Sequence, residues 1–348
     1  MFNISIVVPL YNEEEIFPLL IQRLNNLVGL KNEKIEIVLV NDGSNDGTES
    51  LMQQVGLMYS NYNCISFARN FGHQTALTAG LSVSRGIEAI LIIDGDLQDP
   101  PELLTEMLQK LRNGYDVVYA VRKKREASIL KKLAYKIFYR ILNAISYIKI
   151  PLDSGDFSLL SRRAVDVLNA MPEQSRYLRG MRAWIGFEQI SIEYERSERT
   201  QGETKYSIKK LIQLAYLGIF NFSTFPIKII KRIGYASIIF SIIYSIYVLY
   251  KKVFYNNVPE GFTSLILVIM FFYGIQMFFM GIIGEYLLSI FFQVKGRPLF
   301  IIKSQIKDGK VNSWSQTISP LTNQKSFLNI APLAVAKPPT NPPIKPET

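Results

Sequence analysis

The chain has 348 residues, of which 48% are hydrophobic and 12% aromatic, and its formal net charge is +10. Its single cysteine, Cys64, excludes an intramolecular disulfide, and its single histidine, His73, excludes a histidine-based metal site and a Ser-His-Asp triad. The basic charge fits nucleic acid, a membrane surface or a phosphate-bearing substrate, and does not choose among them.

Short β-rich apolar runs alternate with longer helix-like stretches from the start of the chain. The runs at 4–8, 35–40, 65–67, 89–93 and 117–121 are the predicted strands. Several are almost continuously apolar, as burial on both faces of a sheet requires. The alternation predicts a doubly wound α/β domain with a mostly parallel sheet, whose ligands bind beyond the carboxyl ends of the strands. The first run is short and lacks a basic start, so we expect no secretory signal.

Two later segments mix apolar and basic residues. Residues 128–148 place apolar side chains at helical spacing, with lysines and arginines elsewhere around the helix, and residues 207–231 repeat the mixture. Each segment fits a helix packed on its own domain, and it equally fits a helix lying on anionic lipid.

Two uncharged apolar stretches follow, at 233–250 and 261–284. Each approaches the ~20 residues needed to cross a ~30 Å hydrocarbon core, so we predict two transmembrane helices rather than buried core helices. Basic residues flank the outer ends of the pair, which favours a cytoplasmic location for both termini. After about residue 311 the composition, rich in Ser, Asn, Lys and Pro, predicts disorder.

Three polar clusters follow three of the predicted strands, and a parallel sheet gathers such clusters at one edge. They begin at Pro9, Asn41 and Asp94. Asp94 and Asp96, with Gln98 two residues further on, offer the oxygen ligands that Mg²⁺ or Mn²⁺ prefers, and diphosphate oxygens complete such a shell.

The Asp-x-Asp pair is a weak signal on its own, because Asp-Gly also makes ordinary turns. After Asp96, however, the sequence from Gln98 to Glu102 predicts a helix start, with Asp99 as its cap and proline in the first turn. A hairpin would need a strand there, so a metal site is the better interpretation.

Other charged residues follow the remaining strands. Asp42 suits the base or ribose of a nucleoside, with a plain Asp-Gly turn as the alternative, and Gln53 at the twelfth position excludes a calcium loop. Arg122 ends the fifth strand, where a guanidinium suits a phosphate, although a solvated charged face also explains the basic run there. Arg199 and Lys205 lie in a polar loop, a candidate lid over a diphosphate.

Two residues have less certain assignments. For Asp156, in a predicted turn, a catalytic base, a residue that positions a sugar or an arginine, and a helix cap are equally good interpretations. His73 is best explained as the residue that opens a helix over 73–84.

Taken together, these motifs resemble glycosyltransferase family 2, specifically its polyprenyl-phosphate branch with the dolichol-phosphate mannose synthases and the GtrB-type bactoprenol glucosyltransferases. The resemblance spans about residues 3–293. It rests on the motifs VVPLYNEEE, VNDGSNDGT, RNFGHQTALTAG, DGDLQDPPE, YDVVYAVR, DSGDFSLLSRR, RYLRGM and RTQGETKYS.

The resemblance implies an A-type glycosyltransferase fold, which is Rossmann-like, followed by two transmembrane helices. Its candidate catalytic residues are Asp96, Arg122 and Asp156, the last with a positioning role. By motif position, Pro9, Tyr11, Glu13 and Asp42 would hold the nucleoside; Asp94, Gly95, Asp96 and Gln98 would surround the metal and diphosphate; Arg122 would meet the acceptor phosphate or the donor; and Arg199 and Lys205 would close over the donor phosphates.

The implied reaction is an inverting, metal-dependent transfer of a hexose to a polyisoprenyl phosphate such as undecaprenyl phosphate, with Mg²⁺ or Mn²⁺ as cofactor. Glucose from UDP-glucose is the first expectation for the donor, and mannose, aminoarabinose or N-acetylhexosamine are alternatives. The expected partners are therefore a UDP-sugar, the lipid phosphate and the bilayer, without nucleic acid. A homo-oligomer is left open.

The same interpretation divides the chain into four parts in a bacterial inner membrane. Residues 1–206 form a cytosolic catalytic domain, 207–232 amphipathic juxtamembrane helices, 233–293 two transmembrane helices, and 294–348 a cytosolic tail. A processive polysaccharide synthase would need more spans. A non-catalytic membrane scaffold with a nucleotide-sugar-binding domain would tolerate loss of the metal ligands, which are intact here.

Overall fold

The computed structural model describes residues 1–30, 33–122, 154–195, 225–255 and 261–312. Nine strands of this part of the chain form a single sheet. They are β1 (Ile4–Leu10), β2 (Ile35–Asn41), β3 (Tyr62–Phe67), β4 (Ala89–Ile92), β5 (Val117–Arg122), β6 (Ser154–Ser161), β7 (Gln189–Tyr194), β8 (Ile302–Lys307) and β9 (Lys310–Asn312).

Helices connect most of these strands, and two much longer helices precede β8. A single 3₁₀ turn, Pro101–Leu103, leads into the fourth helix, where the sequence predicts a helix start. The helices are α1 (Phe17–Val28), α2 (Thr48–Met58), α3 (His73–Val83), α4 (Leu104–Arg112), α5 (Arg162–Ala170), α6 (Leu178–Trp184), α7 (Phe225–Tyr255) and α8 (Phe262–Lys295).

The sheet has the order β7-β5-β6-β4-β1-β2-β3-β8-β9. Its centre, from β4 to β3, is parallel throughout, and of the nine strands only β6 and β8 run in the opposite direction. The prediction of an α/β domain with a mostly parallel sheet is therefore confirmed. The five predicted strands are all present, while β6, β7, β8 and β9 were not predicted.

Two hydrophobic cores cover the two faces of the sheet. One contains Phe17 of α1 and Met107 of α4, and the other contains Leu77 of α3 and Val165 of α5. Every residue of β1 and β2 is buried, which explains their almost continuous apolar sequence. The strand ends are thereby held rigidly, and the polar loops that follow them are the exposed part of this edge.

The two long helices expose large apolar side chains along their length. Within the described residues, one stretch is long and apolar enough to cross a membrane: Phe272–Lys295 in α8, with 24 residues and a mean hydropathy of 1.7. The apolar stretch in α7, Arg232–Tyr244, is shorter. The second transmembrane helix remains a prediction, and the amphipathic segment 128–148 and residues 207–224 lie outside the described residues.

The chain returns to the sheet after α8. Strand β8 pairs antiparallel with β3, and Phe300, which is fully buried, stacks on Phe67 with ring centroids 5.2 Å apart. Residues 302–312 thus contain two strands, and the disorder predicted after about residue 311 concerns residues that lie almost entirely outside the described part of the chain. Only Ile302 and Ile306 of β8 are buried, so the strand is too short and too polar for its apolar pattern to be recognised.

Candidate active site

The polar clusters after β1, β2 and β4 meet at the C-terminal edge of the sheet, as predicted. The amide of Asp42 donates to the carbonyl of Leu10 at 2.9 Å, which joins the ends of β1 and β2. On the other side of β1, the amide of Ile93 donates to the carbonyl of Val7 at 3.1 Å, and Asp94 follows at once. Parallel pairing of β1 with both neighbours thus brings the three clusters together.

Hydrogen bonds tie the β1–α1 loop to the β2–α2 loop. The amide of Asn12 donates to Ser44 Oγ at 3.0 Å, and the amide of Glu13 donates to Thr48 Oγ1 at 3.0 Å. Tyr11, between these contacts and the end of β1, is 44% exposed, whereas Pro9 is buried within the strand. The aromatic ring of Tyr11 is thus available to a ligand on a braced loop.

Asp42 is buried and holds the loop that leads into α3. Its carboxylate accepts the amides of Phe71 at 2.7 Å and Gly72 at 2.9 Å. Burial raises the pKa of Asp42, and these two amide donors offset part of that rise. The residue therefore has a structural role that the sequence did not predict, in addition to any contact with a nucleoside.

The Asp94–Gly95–Asp96 segment packs against the end of β1. A Cβ on Gly95 would lie 3.1 Å from the carbonyl oxygen of Pro9 and 2.5 Å from Leu10 Cδ2, so a small residue suits this position. Asp96 Oδ1 accepts the backbone amide of Gln98 at 3.2 Å, and the next residue of the turn, Leu97, has a positive φ of 56°.

Asp94 carries the strongest sign of a missing partner. Its Oδ1 atom is buried and makes no hydrogen bond with a described residue. Burial raises the pKa of Asp94 to about 6; nearby His73 opposes the rise, whereas the carboxylates of Asp99, Asp156 and Asp96 add to it. A cation would satisfy this oxygen.

The donor set fits a divalent metal that ligand oxygens complete. Within the described ranges, no three His, Cys, Asp or Glu side chains converge as a metal site by themselves. The predicted set contains two carboxylates, Asp94 and Asp96, and the amide of Gln98, so a bound ion needs further oxygens from a diphosphate or from water.

Asp99 does not cap the following helix, contrary to expectation. No side chain caps the 3₁₀ turn, and the carboxylate of Asp99 accepts the hydroxyl of Tyr194 at the end of β7 instead. Asp99 therefore links the loop after β4 to the end of β7 rather than starting a helix.

Asp156 lies in β6, and three side chains surround its carboxylate. These four residues, Asp156, Arg179, Gln74 and His73, are called the Asp156 cluster. Arg179 donates from Nε to Oδ1 at 2.8 Å and from Nη2 to Oδ2 at 2.9 Å. Gln74 Nε2 donates to Oδ2 at 3.2 Å, and His73 Nε2 lies 3.3 Å from the same oxygen. Although burial acts to raise it, the charge of Arg179 and the hydrogen bonds hold the pKa of Asp156 well below its usual range.

His73 opens α3, as predicted, but its ring also reaches two carboxylates. Its Nε2 lies 3.6 Å from Asp94 Oδ1 as well as 3.3 Å from Asp156 Oδ2. Burial disfavours the imidazolium, yet the hydrogen bond to Asp156 and the charge of Asp94 raise the pKa of His73 to about 9. This role of His73 was not predicted from the sequence. The only feature that could have indicated it is that the single histidine of the chain follows a strand.

The structure does not describe the side chains of three predicted site residues. Arg122 ends β5, as predicted, opposite Tyr194 of β7, and the described structure does not include its side chain. Arg199 and Lys205 lie outside the described residues. Their roles stay predictions.

Comparison with known proteins agrees with this geometry. Residues 5–168 match Glycosyl transferase family 2. Over 302 residues the chain is 39% identical to a prophage bactoprenol glucosyl transferase homolog of Escherichia coli, an alignment that covers 86% of this chain and 98% of that protein. The chain belongs to glycosyl transferase family 2.

This family 2 glycosyltransferase has other relatives of similar length. It is 43% identical over 303 residues to the glycosyltransferase YkcC of Bacillus subtilis, covering 86% of this chain and 93% of that protein. Among solved structures, glucosyl-3-phosphoglycerate synthase from Mycobacterium tuberculosis, in complex with Mn²⁺, UDP and phosphoglyceric acid, has a TM-score of 0.44 at 19% identity, covering 63% of this chain and 76% of that one.

Proposed function

We propose that this glycosyltransferase transfers a hexose from a nucleotide sugar to a polyisoprenyl phosphate, with UDP-glucose as donor and undecaprenyl phosphate as acceptor. The observation that carries the proposal is the buried, unbonded Oδ1 of Asp94 at the edge where the nucleotide-side loops meet. The relatives named bactoprenol glucosyl transferases, at 37–39% identity over most of the chain, support the acceptor class.

On the donor side, Pro9, Tyr11, Glu13 and Asp42 line the nucleoside pocket. Asp42 Oδ1 already accepts the amides of Phe71 and Gly72, whereas Oδ2 accepts only that of Gly72 and keeps an acceptor direction for a ribose or base. Arg199 and Lys205 complete the donor site as a lid over the diphosphate.

The diphosphate lies at Asp94, Asp96 and Gln98. When Mg²⁺ or Mn²⁺ is bound there, it neutralises the charge that accumulates on the departing nucleoside diphosphate. Gly95 lets this segment lie close to the end of β1, because a larger residue would press on Pro9 and Leu10 and displace both carboxylates. Asp94 and Asp96 thus orient the leaving group.

On the acceptor side, a phosphate oxygen forms the new bond to the anomeric carbon while the bond to the diphosphate breaks on the opposite face. UDP leaves and the configuration inverts. A phosphate monoester has its second pKa near ~6, so its dianion is already present at neutral pH and needs no strong base. Asp156, held ionised by Arg179, acts as a positioning residue, and Arg122 contributes positive charge.

The sheet supports two transmembrane helices rather than one. Since β3 and β8 belong to the same sheet, the chain between them must cross a bilayer an even number of times. The stretch Phe272–Lys295 is long enough for one crossing, so α7 supplies the other. The catalytic domain and the hairpin after α8 then share the cytoplasmic side of a bacterial inner membrane, which lets the lipid phosphate reach the site without leaving the bilayer.

The test is lipid extraction after incubation with labelled donors. Membranes containing the protein are incubated with undecaprenyl or dolichyl phosphate, Mg²⁺ or Mn²⁺, and labelled UDP-glucose, GDP-mannose, UDP-aminoarabinose or UDP-N-acetylhexosamines. We expect labelled lipid with UDP-glucose, and we expect D96A to lose more than about 100-fold in rate, because a carboxylate that would hold the metal at the leaving diphosphate is missing.

The control is D166A. Asp166 lies on the exposed side of α5 and pairs only with Arg162 at the surface among the recorded ion pairs, so its loss should leave the rate unchanged. Absence of labelled lipid with every donor, or full activity in D96A, would contradict the proposal.

A further inference from the structure

The order of the strands separates two sides of the site. Tyr11 and Asp42 follow β1 and β2, Asp94 follows β4, and Asp156 lies in β6, the neighbour of β4 on the side away from β1. The antiparallel register Ile92↔Ser158, continued by two residues, sets Asp156 level with Asp94. Since neighbouring strands lie about 4.8 Å apart, the Asp156 cluster flanks the diphosphate position on the side opposite to the nucleoside.

The cluster carries hydrogen-bond donors that suit an anion. Arg179 carries a planar, positively charged guanidinium whose Nε and Nη2 donate to Asp156, and its side chain is 21% exposed. The ring of His73 is 45% exposed and stands between Asp156 and Asp94. His73 also begins α3, whose first backbone amides point out of the helix toward this edge.

Contacts among α3, β6 and α6 hold these donors in place. Gln74 uses both ends of its amide: Nε2 donates to Asp156, and Oε1 accepts the backbone amide of Leu178 at 2.9 Å. This bond fixes the start of α6 against the start of α3, and Arg179 is the next residue of α6. The guanidinium therefore needs little reorganisation when a ligand arrives, which favours a binding role.

We propose that Arg179 and His73, oriented by Asp156, bind the acceptor phosphate, a phosphate monoester. This inference rests on the proposed function and adds the residues that hold its second substrate. A planar guanidinium suits phosphate oxygens, and the position across from Asp94 and Asp96 lets the acceptor oxygen approach the anomeric carbon opposite to the departing diphosphate.

The test measures the KM for undecaprenyl phosphate and the KM for UDP-glucose separately, with the full chain in detergent. We expect R179Q to raise the KM for the lipid phosphate roughly tenfold or more, because a charged hydrogen bond to substrate is lost, and to leave the KM for UDP-glucose unchanged. R179K, which keeps the charge without the planar fork, should fall between wild type and R179Q.

Arg163 offers a matched control. It pairs with the buried carboxylate of Asp116 through the same two nitrogens, but Asp116 directly precedes β5, at the opposite edge of the sheet. R163Q therefore breaks an ion pair to an equally buried carboxylate away from the site, although Arg163 itself is more exposed than Arg179, and we expect wild-type KM values for both substrates.

Two further measurements keep the inference testable if R179Q does not fold. The double variant D156N/R179Q removes both charges of the ion pair together, and H73Q removes the ring alone; both should raise the KM for the lipid phosphate. Inorganic phosphate should compete with the lipid acceptor in wild type and less in these variants, which separates recognition of the phosphate from recognition of the lipid.

The outcomes distinguish this inference from the proposed function. Lipid product from wild type, together with an unchanged KM for the lipid phosphate in both R179Q and D156N/R179Q, overturns the inference alone. A rise confined to the KM for UDP-glucose also overturns it, since Arg179 would then contact the donor. No lipid product from wild type with any donor overturns the proposed function itself.

Discussion

Burial disfavours the charged form of the Asp94 carboxylate, whereas the proposed metal site requires that charge. The carboxylate follows β4 without a hydrogen bond to Oδ1, and burial raises its pKa to about 6. A buried oxygen without a hydrogen bond costs stability, and the charge of His73, 3.6 Å away, offsets only part of that cost. Asp156 shows the opposite solution, since Arg179 and Gln74 satisfy its two oxygens. The two carboxylates differ in role because their neighbours differ.

Gly43, at the end of β2, is required by a close backbone approach. It has a φ of +66°, and a Cβ there would lie 2.4 Å from the carbonyl carbon of Arg69 and 2.6 Å from the amide nitrogen of Asn70. We expect G43A to destabilise the protein by about 2–4 kcal/mol, from left-handed strain and displacement of the loop before α3. The KM for the donor should rise as well. Thermal unfolding and donor kinetics measure both effects.

Gly114 is the matched control for that substitution. It also has a positive φ, +105°, but nothing lies within 4 Å of its added Cβ. G114A should therefore lose only the backbone contribution, about 1 kcal/mol, with no effect on the donor. Equal losses in the two variants would show that the contact with Arg69 and Asn70 does not matter.

The sequence alone predicted those site residues that directly follow a strand. The clusters beginning at Pro9, Asn41 and Asp94 were placed at one edge because apolar strands and polar ends are local patterns. The partners of Asp156 were not predictable, because Arg179 is 23 residues away and Gln74 is 82 residues away. No periodicity links such positions, and only the antiparallel insertion of β6 beside β4 brings them together.

Among the elements, the β8–β9 hairpin has the least expected position. It extends the sheet beyond β3 and buries Phe300 against Phe67, far along the chain from the other strands. Arg85 adds a second link, because its guanidinium contacts both Glu36 of β2 and Asp308 in the hairpin turn. The sheet thus combines strands from the first part of the described residues with two strands from the last part.

Truncation of Phe300 tests the contribution of this hairpin. We expect F300A to destabilise the protein by about 3–5 kcal/mol, as for other fully buried phenylalanines. V311A, in β9, is a control within about 0.5 kcal/mol, because the Val311 side chain is 64% exposed. Unfolding in detergent measures both. A small loss in F300A would mean that β8 contributes little to the sheet.

At the scale of the whole molecule, the pairing of β3 with β8 bears on the proposed membrane topology. Among the described residues one stretch, Phe272–Lys295, is long and apolar enough to cross a membrane, whereas two strands of one sheet are compatible only with an even number of crossings between them. Hydropathy could suggest the helices, but it could not show that the chain returns to the first domain. Strand pairing is thus a second argument for the topology that the apolar stretches and their flanking basic residues predict.

Cysteine labelling in intact cells tests this topology. Cys64 is buried, and burial raises the pKa of its thiol to about 12, so it should stay unlabelled as the native background. We expect a membrane-impermeant maleimide to label N257C, in the loop between α7 and α8, from outside the inner membrane. V311C in β9 should react only after the membrane is opened. Labelling of both from the same side would contradict two crossings.

The pairing of β8 with β3 also sets an order of events during synthesis. Until the ribosome has passed residue 307, β3 is an open strand edge with Phe67 uncovered, and both long helices must already have emerged. An open, apolar edge invites aggregation. A fragment that ends before α7 would keep this edge open, so we expect it to aggregate more readily than a chain that includes β8.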